Sequence, residues 1–168
     1  MKCRLDNRIS TILLGLLLVA IAIASFGAIA SPAWANDYNK EFLIGVDFSG
    51  KELTDSSFTK ANLRSSNLSH TNLRGVSFFG ANLESVNLEG ADLRNATLDT
   101  ARLTKANLKN AVLEGAFAFN TKFEGAIIDG ADFTDVLLRR DVQQQLCKIA
   151  SGTNPTTGRE TRETLFCP

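Results

Sequence analysis

Large apolar residues recur at every fifth position through the middle of the chain. The series runs Phe48, Leu53, Phe58, Leu63, Leu68, Leu73, Phe78, Leu83, Leu88, Leu93, Leu98, Leu103, Leu108, Leu113, Ala118, Phe123, Ile128, Phe133 and Leu138. Eighteen of these nineteen are Leu, Phe or Ile, and only Ala118 departs. With each taken as the centre i of a five-residue unit, position i−2 is small or β-branched in eighteen units, Lys51 being the exception, and is Ala in ten. Position i−1 is Asn or Asp in nine units, among them Asn62, Asn67, Asn72, Asn82 and Asp92. Position i+2 is Gly in seven, including Gly75, Gly80, Gly90 and Gly115.

Neither a helix nor a flat strand uses such a period. On a helix a step of five residues advances about 140°, so the centres spiral and form no apolar stripe. On a strand an odd period sends successive centres to opposite faces. A chain that turns a corner every five residues meets both objections. Each side is then a short extended piece that points i−2 and i inward, and a spacing of two suits it. Between sides, the Gly, Asn, Asp and Ser residues at i−1, i+1 and i+2 tolerate turn dihedrals.

Units such as Ala61-Asn62-Leu63-Arg64-Ser65, Ala81-Asn82-Leu83-Glu84-Ser85 and Ala91-Asp92-Leu93-Arg94-Asn95 resemble the A-(D/N)-L-X-X signature of the pentapeptide-repeat family. The resemblance runs through nineteen consecutive units, from residue 46 to residue 140. It implies an all-β solenoid, a right-handed quadrilateral β-helix with four units per coil and with i and i−2 inside the shaft. Four units per coil sort the centres into columns twenty residues apart. The first face stacks Phe48, Leu68, Leu88, Leu108 and Ile128; the second, Leu53, Leu73, Leu93, Leu113 and Phe133. The third stacks Phe58, Phe78, Leu98, Ala118 and Leu138; the fourth, Leu63, Leu83, Leu103 and Phe123. Nearly five coils at the spacing of neighbouring strands give a shaft on the order of 23 Å long.

An open solenoid exposes an apolar cross-section and unpaired edges, so short helical caps are expected at both ends. Residues 36–45 are the expected N-terminal cap, with Asp37 to Leu43 a brief helical lid that turns Phe42 and Leu43 to the shaft. Residues 141–168 are the expected C-terminal cap of two short helices. The first runs from Asp141 to Ala150, with Leu146 and Ile149 on its apolar side and Gly152 past its end. The second opens on a capping box at Thr157-Gly158-Arg159-Glu160 and carries Leu165 and Phe166 late in it.

Residues 1–35 read as a cleaved secretory signal peptide. Lys2, Arg4 and Arg8 lead into the apolar run Ile12–Ala30, and Ala33 and Ala35 supply the small residues of a cleavage site before Asn36. A retained anchor is the competing reading, since the run of 19 residues is at the edge of what spans a bilayer. Cleavage leaves 15 basic and 17 acidic residues, a net charge of −2, and no stable membrane insertion. That balance builds no strong field toward nucleic acid.

Cleavage also leaves two cysteines, Cys147 and Cys167, an even number in an oxidising compartment. A structural disulfide that pins the two helices is the simple reading. A metal site needs more ligands than these two and a distant His70, and a redox pair is more often closely spaced.

No constellation of residues reads as catalytic, cofactor-binding or metal-binding. His70 falls at an i+2 corner and reads as a solvated turn residue. Glu84 and Glu89 lie on neighbouring faces and read as surface charge. The departure from the repeat is aromatic. Phe79 and Phe119 fall at i+1, which faces water, and Phe117 falls at i−1, all on the third face. Two readings stay open: a surface patch for a protein partner, or a bulge at Ala118 that turns Phe117 or Phe119 into the shaft. The functional expectation is a non-enzymatic structural or interaction module. Its exported chain and the ending Thr161–Pro168 resemble the lumenal pentapeptide-repeat proteins of cyanobacteria and chloroplasts, which implies a thylakoid lumen or periplasm. The alternative is a DNA mimic that binds a topoisomerase such as gyrase; the signal peptide and the near-neutral charge weigh against it.

Overall fold

The computed structural model describes residues 36–168. The expected signal peptide over residues 1–35 lies outside the described residues.

From Asp37 to Phe117 every i−1 residue pairs in parallel with the residue twenty positions on, in an unbroken series from Asp37–Ser57 to Phe117–Leu137. Four five-residue sides therefore complete one coil. Leu83 N–H donates to the Arg102 carbonyl one coil on (2.9 Å), and Arg102 N–H donates back to the Ala81 carbonyl (3.0 Å). Within a coil, the Val86 N–H donates to the Leu83 carbonyl (3.2 Å) and closes the corner. The i+2 residue at every corner from Lys40 to Asp135, except Asn120, has positive φ. This is the left-handed conformation that a type II turn requires at its third residue.

The corners also explain where glycine falls. One corner column reads Gly50, His70, Gly90, Asn110, Gly130. Its side chains lean along the shaft toward the next coil. A Cβ on Gly90 would lie 2.5 Å from His70 Nδ1, and one on Gly115 would lie 2.7 Å from Asn95 Oδ1. At Gly90, and at Gly115 in the neighbouring column, the longer corner residue one coil earlier fills the space a Cβ would need; at Gly50 that space is open.

All centres from Phe48 to Phe133, Ala118 included, are buried, with the small i−2 residues beside them. Each buried Leu or Phe contributes roughly 1.5–3 kcal/mol of transfer free energy before chain entropy is counted. Hydroxyls at i−2 are buried but satisfied: Thr71 Oγ1 donates to the Phe48 carbonyl (2.9 Å) and Thr121 Oγ1 to the Leu98 carbonyl (2.7 Å). Asn and Asp at i−1 take the turn's free N–H, as Asn82 Oδ1 does from Glu84 (3.2 Å). On the first face they also form a ladder. Asn67 Nδ2 donates to Asp47 (3.1 Å), Asn87 to Asn67 (3.2 Å) and Asn107 to Asn87 (3.1 Å).

The expected helical lid over Asp37–Leu43 is not formed. Residues 36–45 are two further units of the shaft, with Tyr38 and Leu43 as centres. Tyr38 N–H donates to the Ser57 carbonyl (2.8 Å) and Leu43 N–H to the Asn62 carbonyl (2.8 Å). A helix of two turns is marginal by itself, and these edge bonds outcompete it. The Tyr38 ring stacks on Phe58 (4.6 Å between centroids) and Phe58 on Phe78 (5.2 Å), so an aromatic pile fills the third column in the first described coils. Phe42, expected to face the shaft, is 82% exposed, and Leu43 is half-buried.

Two helices follow the last coil, α1 (Arg140–Cys147) and α2 (Thr161–Thr164). Leu146 and Ala150 are buried against the shaft, whereas Ile149 is half exposed. The expected capping box is absent. Glu160 precedes α2 with no side-chain cap and instead pairs antiparallel with Thr153. Leu165 is buried, and Phe166 turns outward. The sulfur atoms of Cys147 and Cys167 stand at bonding distance, with Cα atoms 5.4 Å apart.

Asn154 joins the cap to the shaft. It is fully buried. Its Nδ2 donates to the carbonyls of Gly130 (2.8 Å), Asn110 (3.2 Å) and Ala111 (3.2 Å). Its Oδ1 accepts from the N–H groups of Thr156 (2.9 Å) and Thr157 (3.0 Å). Two edge donors of the last coil also find partners in the cap: Gly130 N–H reaches the Ser151 carbonyl (2.8 Å) and Phe133 N–H reaches Thr164 Oγ1 (3.0 Å).

Candidate protein-interaction surface

The outside of the third face changes character along the shaft. In its first coils it is polar. Ser57 Oγ donates to Asn39 Oδ1 (2.6 Å), and Thr59 Oγ1 shares hydrogen bonds with Ser57 (3.2 Å) and Ser77 (3.0 Å). Farther on it carries aromatic side chains, with Thr97 and Asp99 between them. Phe79, Phe117 and Phe119 are 40%, 44% and 43% exposed. Backbone pairing fixes two of them: Phe79 accepts from Lys60 N–H (2.8 Å), and Phe117 donates to Ala96 (2.9 Å) and accepts from Leu98 N–H (2.7 Å).

These positions exclude the bulge that would turn Phe117 or Phe119 into the shaft at Ala118. Ala118 stays in its column and is fully buried, and neither Phe117 nor Phe119 turns inward. The irregularity falls on the next corner instead. Asn120 keeps a negative φ, and its N–H donates to the Asp99 carboxylate (3.0 Å) rather than continuing the ladder. Asp99 lies in the coil between Phe79 and Phe119, which are two coil spacings, about 10 Å, apart.

Sequence reasoning missed Leu137. It pairs directly with Phe117 one coil on and is 48% exposed, so it extends the apolar strip. The signal was present, because Leu137 and Phe117 both occupy i−1 positions, which on the same face hold the polar Ser57, Ser77 and Thr97 in the earlier coils.

The other candidates have local explanations. His70 is exposed at its corner, over Gly90. Among the described residues no group of three or more His, Cys, Asp or Glu side chains is placed to hold a metal ion, and no helix is long and apolar enough to cross a membrane. On the second face Asp92 is paired, accepting from Arg74 (2.6 Å) and Arg94 (2.9 Å). Asp132 is buried, and burial opposes its charge. Hydrogen bonds from the Thr134 hydroxyl (2.6 Å) and N–H (2.9 Å), with Arg159 nearby (3.3 Å), outweigh that and hold its pKa below the ordinary 3.8.

Comparison with known proteins agrees with this geometry. The family model described as pentapeptide repeats matches residues 43–75, 77–115 and 101–140. A pentapeptide-repeat protein of the Arabidopsis thaliana thylakoid lumen has a solved structure that superposes with a TM-score of 0.76 at 49% identity, covering 77% of this chain and 90% of that one. A pentapeptide-repeat protein from Nostoc superposes with a TM-score of 0.54 at 31% identity, covering 64% of this chain and 88% of that one. Thylakoid lumenal 15 kDa protein 1 of Arabidopsis thaliana is 62% identical over 40 residues. That match covers 24% of this chain and only 18% of the relative's length. Thylakoid lumenal protein TL20.3 of the same plant is 52% identical over 40 residues, 24% of this chain and 14% of its own length. A register of twenty residues, an interior of stacked Leu and Phe, and a family match over more than half of the sequence lead to one conclusion: the chain belongs to the pentapeptide-repeat family.

Proposed function

We propose that the chain is a non-enzymatic scaffold, exported by a cleaved signal peptide to a thylakoid lumen or periplasm, that presents the third face of a right-handed four-sided shaft to a protein partner. The observation that carries this reading is the exposed strip of Phe79, Phe117 and Phe119. Aromatic side chains on an outer surface that the fold does not require to be apolar favour a contact role. The similarity to lumenal relatives supports the compartment. An oxidising compartment in turn suits a structural disulfide between Cys147 and Cys167. No observation favours the gyrase-binding alternative: the net charge after residue 35 is −2, with basic residues such as Arg64, Arg94 and Lys109 on three faces.

The test is affinity capture from native lumen or periplasm, run in parallel with the chain and with its Phe79→Ser/Phe119→Ser variant. A specific protein held by the first and lost by the second supports the proposal. Equal capture by both removes the patch from the account, and gyrase as the sole specific partner overturns the reading.

A further inference from the structure

We infer that the outer wall of the C-terminal cap is a docking site for a carboxylate-rich segment of a partner protein. A surface cavity of about 470 Å³ opens there, between α1 and the end of the chain. Three cations line it, Arg140, Lys148 and Arg162, and no acidic side chain does. The main-chain oxygen of Pro168 lines it too and takes Arg162, which leaves Arg140 and Lys148 as its two uncompensated charges on a chain of formal net charge zero.

The cations differ in how they are held. Arg162 donates to the Cys147 carbonyl (3.1 Å) and to the Pro168 oxygen (2.8 Å), which fixes its guanidinium at the rim. Arg140 and Lys148 are exposed, and among the described residues neither lies within ion-pair distance of a carboxylate. The nearby acidic residue on α1, Asp141, is taken by Arg139 (2.9 Å). Glu163 lines a different cavity, on the Thr134 and Arg159 side of Phe166.

The shape of the site selects its occupant. A small anion is held where several donors converge in a closed pocket, whereas these cations are exposed and distributed around an open one. A peptide with spaced carboxylates matches that distribution and meets complementary charge. Phe166, 76% exposed, offers an apolar contact for a neighbouring side chain, and the exposed amide of Gln144 is available to a peptide backbone. The site is separate from the aromatic strip: Phe119 lines a different cavity, against the Asp141, Val142 and Gln145 side of α1. It does not depend on the third-face reading.

The experiment measures binding of a fluorescein-labelled peptide of alternating glutamate and leucine to the processed chain, with the glutamine-for-glutamate peptide as control. The glutamate peptide is expected to bind and the control to bind at least about tenfold more weakly, with affinity falling as salt rises. Arg140→Glu/Lys148→Glu is expected to reduce binding about tenfold, and Phe79→Ser/Phe119→Ser to leave it unchanged. The single variant Lys148→Glu, exposed past the end of α1, guards against loss of fold and is expected to give a smaller reduction in the same direction. Equal binding of the two peptides, or no effect of either charge reversal at an unchanged thermal midpoint, overturns the proposal. So does full displacement of the peptide by inorganic phosphate or by anionic lipid vesicles at matched ionic strength, since the site would then belong to a free anion or a membrane surface.

Discussion

At its C-terminal end the shaft meets α1, α2 and the buried amide of Asn154; at its N-terminal end the described residues begin with the shaft's own first unit and the stacked ring of Tyr38. The two ends present the same kind of backbone edge. The last coil passes donors and acceptors to Ser151, Asn154 and Thr164. In the first coil, Tyr38, Leu43, Phe48 and Leu53 donate forward to the second coil, and the stacked Tyr38 covers apolar surface rather than backbone. A solenoid therefore separates two tasks. Columns of Leu and Phe hold neighbouring coils together all along its length, while edge protection depends on residues that follow no period.

The largest expected effect lies in the columns. Leu83→Asp puts an unpaired carboxylate into the fully buried fourth face and should cost more than about 4 kcal/mol, abolishing cooperative thermal unfolding. Next comes the capped end. Asn154→Leu removes the donor to three carbonyls and the acceptor for two N–H groups, and should destabilise by about 3 kcal/mol, read as a shift of the urea midpoint. Cys147→Ser, which opens the proposed disulfide, should cost about 3 kcal/mol on the chain-entropy account; a midpoint insensitive to reductant would show that the cap holds without it.

A smaller effect follows from Asp132. Its pKa is depressed in the folded chain, so its charge stabilises the fold at any pH well above the ordinary 3.8. That contribution is lost as pH falls through the depressed value. Asp132→Asn should flatten this part of the acid limb and cost about 1 kcal/mol at neutral pH. At the bottom of the scale, Arg64→Ala on the exposed fourth face should change stability by less than about 0.5 kcal/mol. An Arg64→Ala loss as large as that of Leu83→Asp would break the inward and outward register.

How far the sequence could be read follows the same division. The shaft was legible because every coil repeats the same local problem, and Leu, Ala, Asn and Gly each answer one part of it at a fixed position. The aromatic strip was legible as an exception to that pattern, although whether Ala118 opened a bulge was not. Its outcome depends on Asp99 taking the N–H of Asn120 from the coil before. The first two units were missed because Asp37 and Phe42 fit a short helix as well as a coil, and only pairing with Ser57 and Asn62 decides. The cap was legible as two helices, but their limits and the role of Asn154 were not. The bonds of Asn154 to Gly130 and Asn110 span 24 and 44 residues, and no local pattern announces them.

The central claim is that the buried columns carry the fold and leave the third-face aromatics to contact. Thermal unfolding of Phe79→Ser/Phe117→Ser/Phe119→Ser tests it most directly. The account predicts a cooperative transition with a midpoint lowered by no more than roughly 10 °C, as expected for side chains left about 40% exposed in the fold. Loss of the transition altogether, as for Leu83→Asp, would contradict it and return these residues to the core.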